Sequence, residues 1–260
     1  MSGLRLALWQ GAGVPGDLAA TAAEAGRVMR LAAEKGAGLI VFPEGFLTGY
    51  HIPGLAPGGL GDVEAALGDV ARAAGELGVA AVMGTALETP DGFRNSAVIL
   101  SAAGEEIGRY HKRALFGAWE KATFLPGDAP FRFECGGLKV GLAICYDVEF
   151  PEIVRAEAQA GADLLVVPTA LMAPHHRVAR LMVPVRALEN QIFLGYANRS
   201  GSEPGLDFVG LSSIRGPWGE ALAEAGADPA LLLADLDRAA LRRARAEESY
   251  LDDLARLSGP

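Results

Sequence analysis

Two apolar runs in this chain stop at proline, Gly38-Leu-Ile-Val-Phe-Pro43 and Asp163-Leu-Leu-Val-Val-Pro168, and a third, Leu138 to Ile144, runs straight into Cys145-Tyr146-Asp147. Runs this short and this apolar read as buried strands. Proline cannot donate to a ladder, so the first two strands are expected to end there. Glu44 therefore lies just past a strand end, where α/β sheets collect their chemistry. In the third run Val140, Leu142 and Ile144 alternate with small residues, while Asp147, Pro151 and Glu152 form a turn feeding a helix. The strand is expected to end at Cys145. A thiol at such a junction stands near backbone N–H groups that hold an oxyanion or lower its pKa; most lone cysteines in apolar runs, however, are ordinary small buried hydrophobes.

The rest of the chain alternates in the same manner. A strand is expected over Leu4–Trp9, then a helix capped by Asp17 that continues to about Ala33 and is ended by Gly36 and Gly38. A loop over Pro53–Gly61 precedes an amphipathic helix over Val63–Leu77 and a strand over Val79–Ala86, completing a βαβαβ order. The rhythm then changes. Arg94–Ser101 and Glu106–His111, split by Ala102-Ala-Gly104, read as a hairpin pair, and residues 111–127 as an irregular loop of the kind that walls a site. After the cysteine strand come a helix over Pro151–Ala160, a helix over Val178–Gln191 kinked at Pro184, and strands over Ile192–Asn198, Val209–Arg215 and Leu231–Leu236. Residues 241–260 are a C-terminal helix and extension, and 1–260 is read as one domain. Strands alternating with helices, then strand pairs, point to two mixed sheets packed together with helices outside, although periodicity alone leaves one large doubly wound sheet open.

Composition narrows the function. A formal net charge of -9 with no basic block makes nucleic acid or an anionic membrane a poor partner. Two cysteines, Cys135 and Cys145, cannot build a disulfide scaffold or a four-thiolate zinc site. No His, Cys, Asp and Glu group has ligand spacing, so no metal is implied. With no signal region at the N-terminus and no apolar run near the roughly 20 residues of a membrane span, the expected home is the cytoplasm. Gly11-Ala-Gly13-Val-Pro-Gly16 matches a dinucleotide fingerprint, but Pro15 removes a phosphate-binding donor, Asp17 puts an anion at the helix start, and Glu44 follows later than the usual roughly 20 residues.

A thiol that attacks an acyl carbon needs a base, donors for the oxyanion and a proton for the leaving group. None of His51, His111, His175 and His176 has a strand-end setting like that of Glu44, whose pKa burial would raise into a useful range. Phe42-Pro43-Glu44, His111-Lys112-Arg113, Glu120 with Phe124 and Gly127 beyond it, and Ile144-Cys145-Tyr146-Asp147 together resemble, in order and surroundings, the nitrilase superfamily of carbon–nitrogen hydrolases over residues 4–236. The resemblance implies an αββα sandwich with Glu44 as general base, Lys112 as the cation beside the tetrahedral intermediate, Cys145 as nucleophile and Glu120 as a further glutamate that positions substrate or relays protons. The backbone N–H of Tyr146 is the natural second oxyanion donor. Residues 145–152, 168–171 and 186–191 look most like aliphatic amidases, including the 5-aminopentanamidase type.

The implied reaction is amide plus water to acid plus ammonia through a cysteine thioester, without a cofactor, in a homodimer or larger homo-oligomer. Nitriles, carbamoyl or amidine groups and acyl transfer use the same core residues and stay open, as does a catalytically silent domain of the same fold. Tyr50, Trp119, Tyr146, Leu171, Met172 and His175 are candidate pocket walls, and Glu149 a candidate partner for a cationic substrate group. Arg186, Glu189 and Asn198 are expected to brace the structure and Cys135 to pack.

Overall fold

The computed structural model describes residues 3–257, so the ends of the expected 1–260 span, residues 1–2 and 258–260, lie outside the described residues. The first half comprises β1 (Gly3–Gln10), α1 (Leu18–Glu34), β2 (Leu39–Val41), α2 (Val63–Leu77), β3 (Ala80–Thr89), β4 (Gly92–Leu100), β5 (Glu106–His111) and α3 (Gly117–Thr123). The second adds β6 (Arg132–Cys135), β7 (Leu138–Leu142), α4 (Pro151–Gln159), β8 (Leu164–Thr169), α5 (Val183–Asn190) and β9 (Phe193–Asn198). The chain continues with β10 (Ser200–Glu203), β11 (Leu206–Val209), β12 (Ser213–Arg215), β13 (Ala221–Glu224), β14 (Ala230–Asp237), α6 (Arg238–Glu247) and α7 (Tyr250–Leu257).

These form two six-stranded sheets, ordered β14-β1-β2-β3-β4-β5 and β13-β12-β9-β8-β7-β6, with β10 and β11 as a separate hairpin. Both are mixed: β1, β2 and β3 run parallel, as do β7, β8 and β9, and the outer pairs are antiparallel. Alternation within each strand sorts the core into layers. Leu6, Leu8, Leu39, Val41 and Val82 meet Val140, Leu142, Leu164, Val166 and Phe193 between the sheets. The opposite faces, through Ile40, Ala81 and Met83, pack against Ala25, Val28 and Val70 of α1 and α2, and through Leu165, Val167 and Leu194 against Val154, Val183 and Ala187 of α4 and α5. This is the αββα sandwich.

Several local expectations need correction. The strand expected to end at Cys145 ends at Leu142; Cys145 takes φ +46° and opens a 3-10 turn over Cys145–Glu149. The loop at 111–127 contains α3. In place of one kinked helix over Val178–Gln191 there is a π turn, Val178–Met182, and then α5, with Pro184 in its first turn, where a missing N–H costs little. The strand expected over Val209–Arg215 is broken by Gly210 and Leu211, with φ +63° and +60°, so Val209 closes β11 and β12 starts at Ser213. The tail forms two helices, α6 and α7. Short strands β6, β10 and β13 were not expected, being only four residues each.

Candidate active site

Glu44 follows Pro43 at the end of β2, and β3 presses against it at Gly84, where a Cβ would stand 2.1 Å from the Pro43 carbonyl oxygen and 2.8 Å from the Glu44 Cα. The Glu44 side chain is wholly buried. Its Oε1 accepts from Lys112 Nζ at 2.7 Å and from Asn95 Nδ2 at 2.7 Å. Its Oε2 is buried and has no partner. Lys112 is the residue after β5, anchored by its amide N–H to the Asn95 carbonyl at 2.8 Å. Its ammonium also donates to Glu120 Oε1 at 2.7 Å. Glu120 is held on α3 by the Tyr50 hydroxyl at 2.6 Å on one oxygen and by the Phe116 N–H at 2.7 Å on the other. One ammonium thus lies between two carboxylates.

Cys145 stands at the start of the 3-10 turn. It keeps 9% exposure while Glu44, Lys112 and Glu120 have none, which makes it the most accessible residue of the four. Burial pushes its pKa well above the ordinary 9.0, the Glu44 charge adds to that, and Lys112 and the Ala170 N–H oppose it. Burial also raises Glu44, chiefly against the pull of Lys112. Burial alone would depress Lys112, but Glu44, Cys145 and Glu120 more than offset it and hold the ammonium charged. At rest the arrangement is a neutral thiol beside a carboxylate with raised proton affinity and a fixed cation. The Tyr146 N–H lies in the first turn of the 3-10 segment, where backbone donors have no intrahelical acceptor.

The aromatic residues form a wall around this cluster. Tyr50, Ala170 and Phe208 pack together with Trp119 and Met172, and the Tyr50 ring lies 5.7 Å from Trp119 and 6.0 Å from Phe208. Phe116 joins Tyr146 at 5.3 Å to His175 at 5.7 Å. Leu171 does not belong to this wall. It packs instead into the core under α4 and α5. Glu149 is half-buried, its carboxyl raised by burial against the pull of Arg177, Lys112 and Arg186. Among the described residues its carboxylate has no hydrogen-bonded or ion-paired partner.

Arg186 donates to the carbonyls of Val148 and Glu149 and to the Glu189 carboxylate, bracing the far end of the cysteine turn. Asn198 accepts the Leu171 N–H at 2.7 Å and donates to the Gly210 carbonyl at 2.5 Å. Cys135 is half-buried, near the Gly38 carbonyl at 3.8 Å. The glycine-rich turn at 11–16 is occupied by its own chain: Asp17 caps α1 through the Ala20 N–H, and Thr21 Oγ1 accepts the Val14 N–H. Among the described residues no three His, Cys, Asp or Glu side chains converge as a metal site needs, and no helix is long and apolar enough to cross a membrane.

Sequence reasoning missed Asn95, Phe116, Phe208 and Arg199. Asn95 and Ser96 had a signal, two polar residues in an otherwise apolar strand pattern. Arg199 had none. Its guanidinium is buried, donates to the Gly45 carbonyl at 2.9 Å and the Glu44 carbonyl at 3.4 Å, and pairs with Glu203, which accepts the Tyr50 and His51 N–H groups at 3.2 and 2.8 Å.

The family described as carbon-nitrogen hydrolase matches residues 5–246. A protein of Pseudomonas protegens named "Hydrolase in pqqF 5'region" is 38% identical over 96% of this chain and 88% of its own length. An (R)-stereoselective amidase of Pseudomonas sp is 36% identical over 83% of this chain and 78% of its own. Among solved structures, an amidase from Nesterenkonia sp. AN1, in a doubly substituted form with acrylamide, superposes with a TM-score of 0.85 at 37% identity, covering 95% of this chain and 96% of that one.

Proposed function

The chain belongs to the carbon–nitrogen hydrolase family, and we propose that it hydrolyses a small aliphatic amide to a carboxylic acid and ammonia through a thioester on Cys145. A hydrolase of this family acts on non-peptide C–N bonds; the particular amide and the residue roles are our reading. The observation that carries it is the second oxygen of Glu44. Lys112 and Asn95 hold Oε1, which leaves Oε2 buried, unpartnered and free to take a proton.

Cys145 Sγ attacks the amide carbon as its proton passes to Glu44, and the carbonyl oxygen gains charge facing the Lys112 ammonium and the Tyr146 N–H. The C–N bond then breaks, Glu44 gives its proton to the departing nitrogen, and ammonia leaves a thioester. Glu44 next takes a proton from water, which attacks the thioester carbon. The C–S bond breaks, and the sulfur recovers a proton from Glu44 as the acid leaves. Glu120, tied to Tyr50 and the Phe116 N–H, holds Lys112 in place throughout. Because the thiol is neutral at rest, proton transfer accompanies attack instead of preceding it.

Acrylamide in the Nesterenkonia structure supports a short aliphatic substrate. Ammonia release across short aliphatic, ω-amino and aryl amides with matched nitriles tests this. The expected result is fastest turnover of an aliphatic amide, abolished in Cys145→Ala and retained in Cys135→Ala. Faster turnover of nitriles than of every amide overturns the amidase assignment.

A second reading concerns charge. The unpartnered Glu149 carboxylate, four residues past the thiol, suits an ω-amino amide, as in the 5-aminopentanamidase type. Glu149→Gln is expected to raise KM for ω-amino amides and spare neutral ones; equal KM values remove Glu149 from the pocket. The proposed assembly is a homodimer or larger homo-oligomer, supported by Leu181 and Val185, which stand 65% and 45% exposed on the outer helical layer. Light scattering at the monomer mass overturns it.

A further inference from the structure

Asp147 is fully buried two residues beyond Cys145, and among the described residues it forms no ion pair. Its carboxylate is nonetheless saturated. Oδ2 accepts the Ile144 N–H at 2.9 Å and the Tyr110 hydroxyl at 2.8 Å. Oδ1 accepts the Ala114 N–H at 2.7 Å and the Arg113 N–H at 3.2 Å. The Asp147 N–H returns to the Ile144 carbonyl at 3.0 Å, so a reciprocal pair of bonds closes the turn around Cys145.

The donors are placed with purpose. Ile144 immediately precedes the nucleophile, and Arg113 and Ala114 immediately follow Lys112. Cys145 belongs to the second sheet and Lys112 to the first, and what lies between the sheets is apolar side chains, whose attraction has no preferred direction. We propose that Asp147 is a positioning residue: a single carboxylate that binds the backbone beside the nucleophile and the backbone beside the cation, and so sets the spacing of sulfur and ammonium. It also holds Cys145 at φ +46°, a conformation that an L-residue adopts only under constraint. The inference rests on the reading of Cys145 and Lys112 given above, and applies to any acyl substrate they process.

Asp147→Asn is nearly isosteric, but both carboxylate oxygens face backbone N–H donors, so the amide NH2 must confront one of them wherever it lies. One of the two fastenings is lost. Tyr110→Phe removes only the hydroxyl and leaves both. With active sites counted by alkylation of Cys145, Asp147→Asn is expected to lower kcat by about 100-fold, the cost of a misplacement near 1 Å, and to leave KM within about threefold. Tyr110→Phe is expected to keep kcat within about threefold. In the unmodified protein, the Ile144 and Ala114 amides are expected to resist hydrogen exchange together, as late as the sheet core.

A kcat of Asp147→Asn within about threefold of the parent, or Tyr110→Phe falling as far as Asp147→Asn, overturns the proposal. If Asp147→Asn does not fold, exchange decides: either amide exchanging freely within minutes overturns it, and joint protection supports it. Ammonia release by Cys145→Ala is a different failure, since it removes the reading of the site and not the role of Asp147.

Discussion

Glu44 is caught between two demands, being buried deeply enough to want a proton and paired closely enough with Lys112 to release it. Burial wins, and its pKa lies above the ordinary 4.5. As the proposed base, Glu44 must be ionised to accept the thiol proton, so kcat/KM should fall on the acid side through an apparent pKa above that ordinary value. The Glu44, Lys112 and Cys145 cluster titrates as a unit, and the limb belongs to the cluster. A profile flat down to pH 4.5 contradicts the assignment. Glu44→Gln preserves an acceptor for Lys112 and Asn95 but cannot carry a proton, and is expected to lower kcat by about 10²–10⁴-fold, read by single-turnover ammonia release. Glu44 was legible because its place past a strand end is written in an apolar run and a proline, whereas Cys145 was marked only as the end of an apolar run that stops three residues earlier than expected. Glu120 was not legible. Beside Lys121 it looks like a solvated charge, and its burial depends on Tyr50 and Lys112, 70 and 8 residues away, closing over it.

Strand ends deliver the groups, and the elements behind them fix how far each reaches. Gly84 of β3 lets the backbone of the base pass at contact distance, so Gly84→Ala drives a methyl into the Pro43 carbonyl and must displace one strand or the other. A cost of about 1–3 kcal/mol in stability, measured by urea unfolding, should accompany a loss of turnover larger than the folded fraction explains; wild-type kcat removes the contact from consideration. Arg199, just past β9, and Glu203 of β10 clamp the 44–51 loop. Arg199→Met leaves Glu203 nearly buried with only two backbone donors, and should destabilise toward the lower end of the roughly 3–5 kcal/mol that breaking a buried pair costs, again by urea midpoint. Long apolar strands and capped helices such as α1 and α2 were legible in sequence because each carries its own periodicity. The four-residue strands, the π turn and the break at Gly210 and Leu211 were not, because their conformation is imposed by neighbours distant in the chain. Leu171 was misplaced for a related reason: the face a residue takes depends on strand register, and register is set by pairing with β11 and Asn198.

At the scale of the molecule, the site is a seam. Glu44 and Lys112 follow strands of the first sheet and Cys145 follows one of the second, so the packing of the apolar layer between the sheets, together with the Asp147 tie proposed above, bears on the distance between them. Within that layer β1 crosses β9. Gly195 of β9 carries no side chain there, and a Cβ would stand 2.9 Å from Leu6 Cδ2 and 3.2 Å from Leu8 Cδ2. Leucine tips can yield to a methyl, so Gly195→Ala should be tolerated by both stability and activity. Gly195→Val cannot be absorbed in the same way, and the sheets must part. Overpacking of this kind costs about 1–3 kcal/mol, but the catalytic loss should exceed it, since a shift near 1 Å between sulfur and ammonium costs about 100-fold in rate. The expected signature is a protein that melts cooperatively at a modestly lower temperature, is alkylated at Cys145 to full stoichiometry, and turns over poorly at saturating amide. If kcat in Gly195→Val falls only in proportion to the folded fraction, the sheets are not what sets the catalytic spacing, and the polar ties at Asp147 and Arg199 are sufficient to hold it alone.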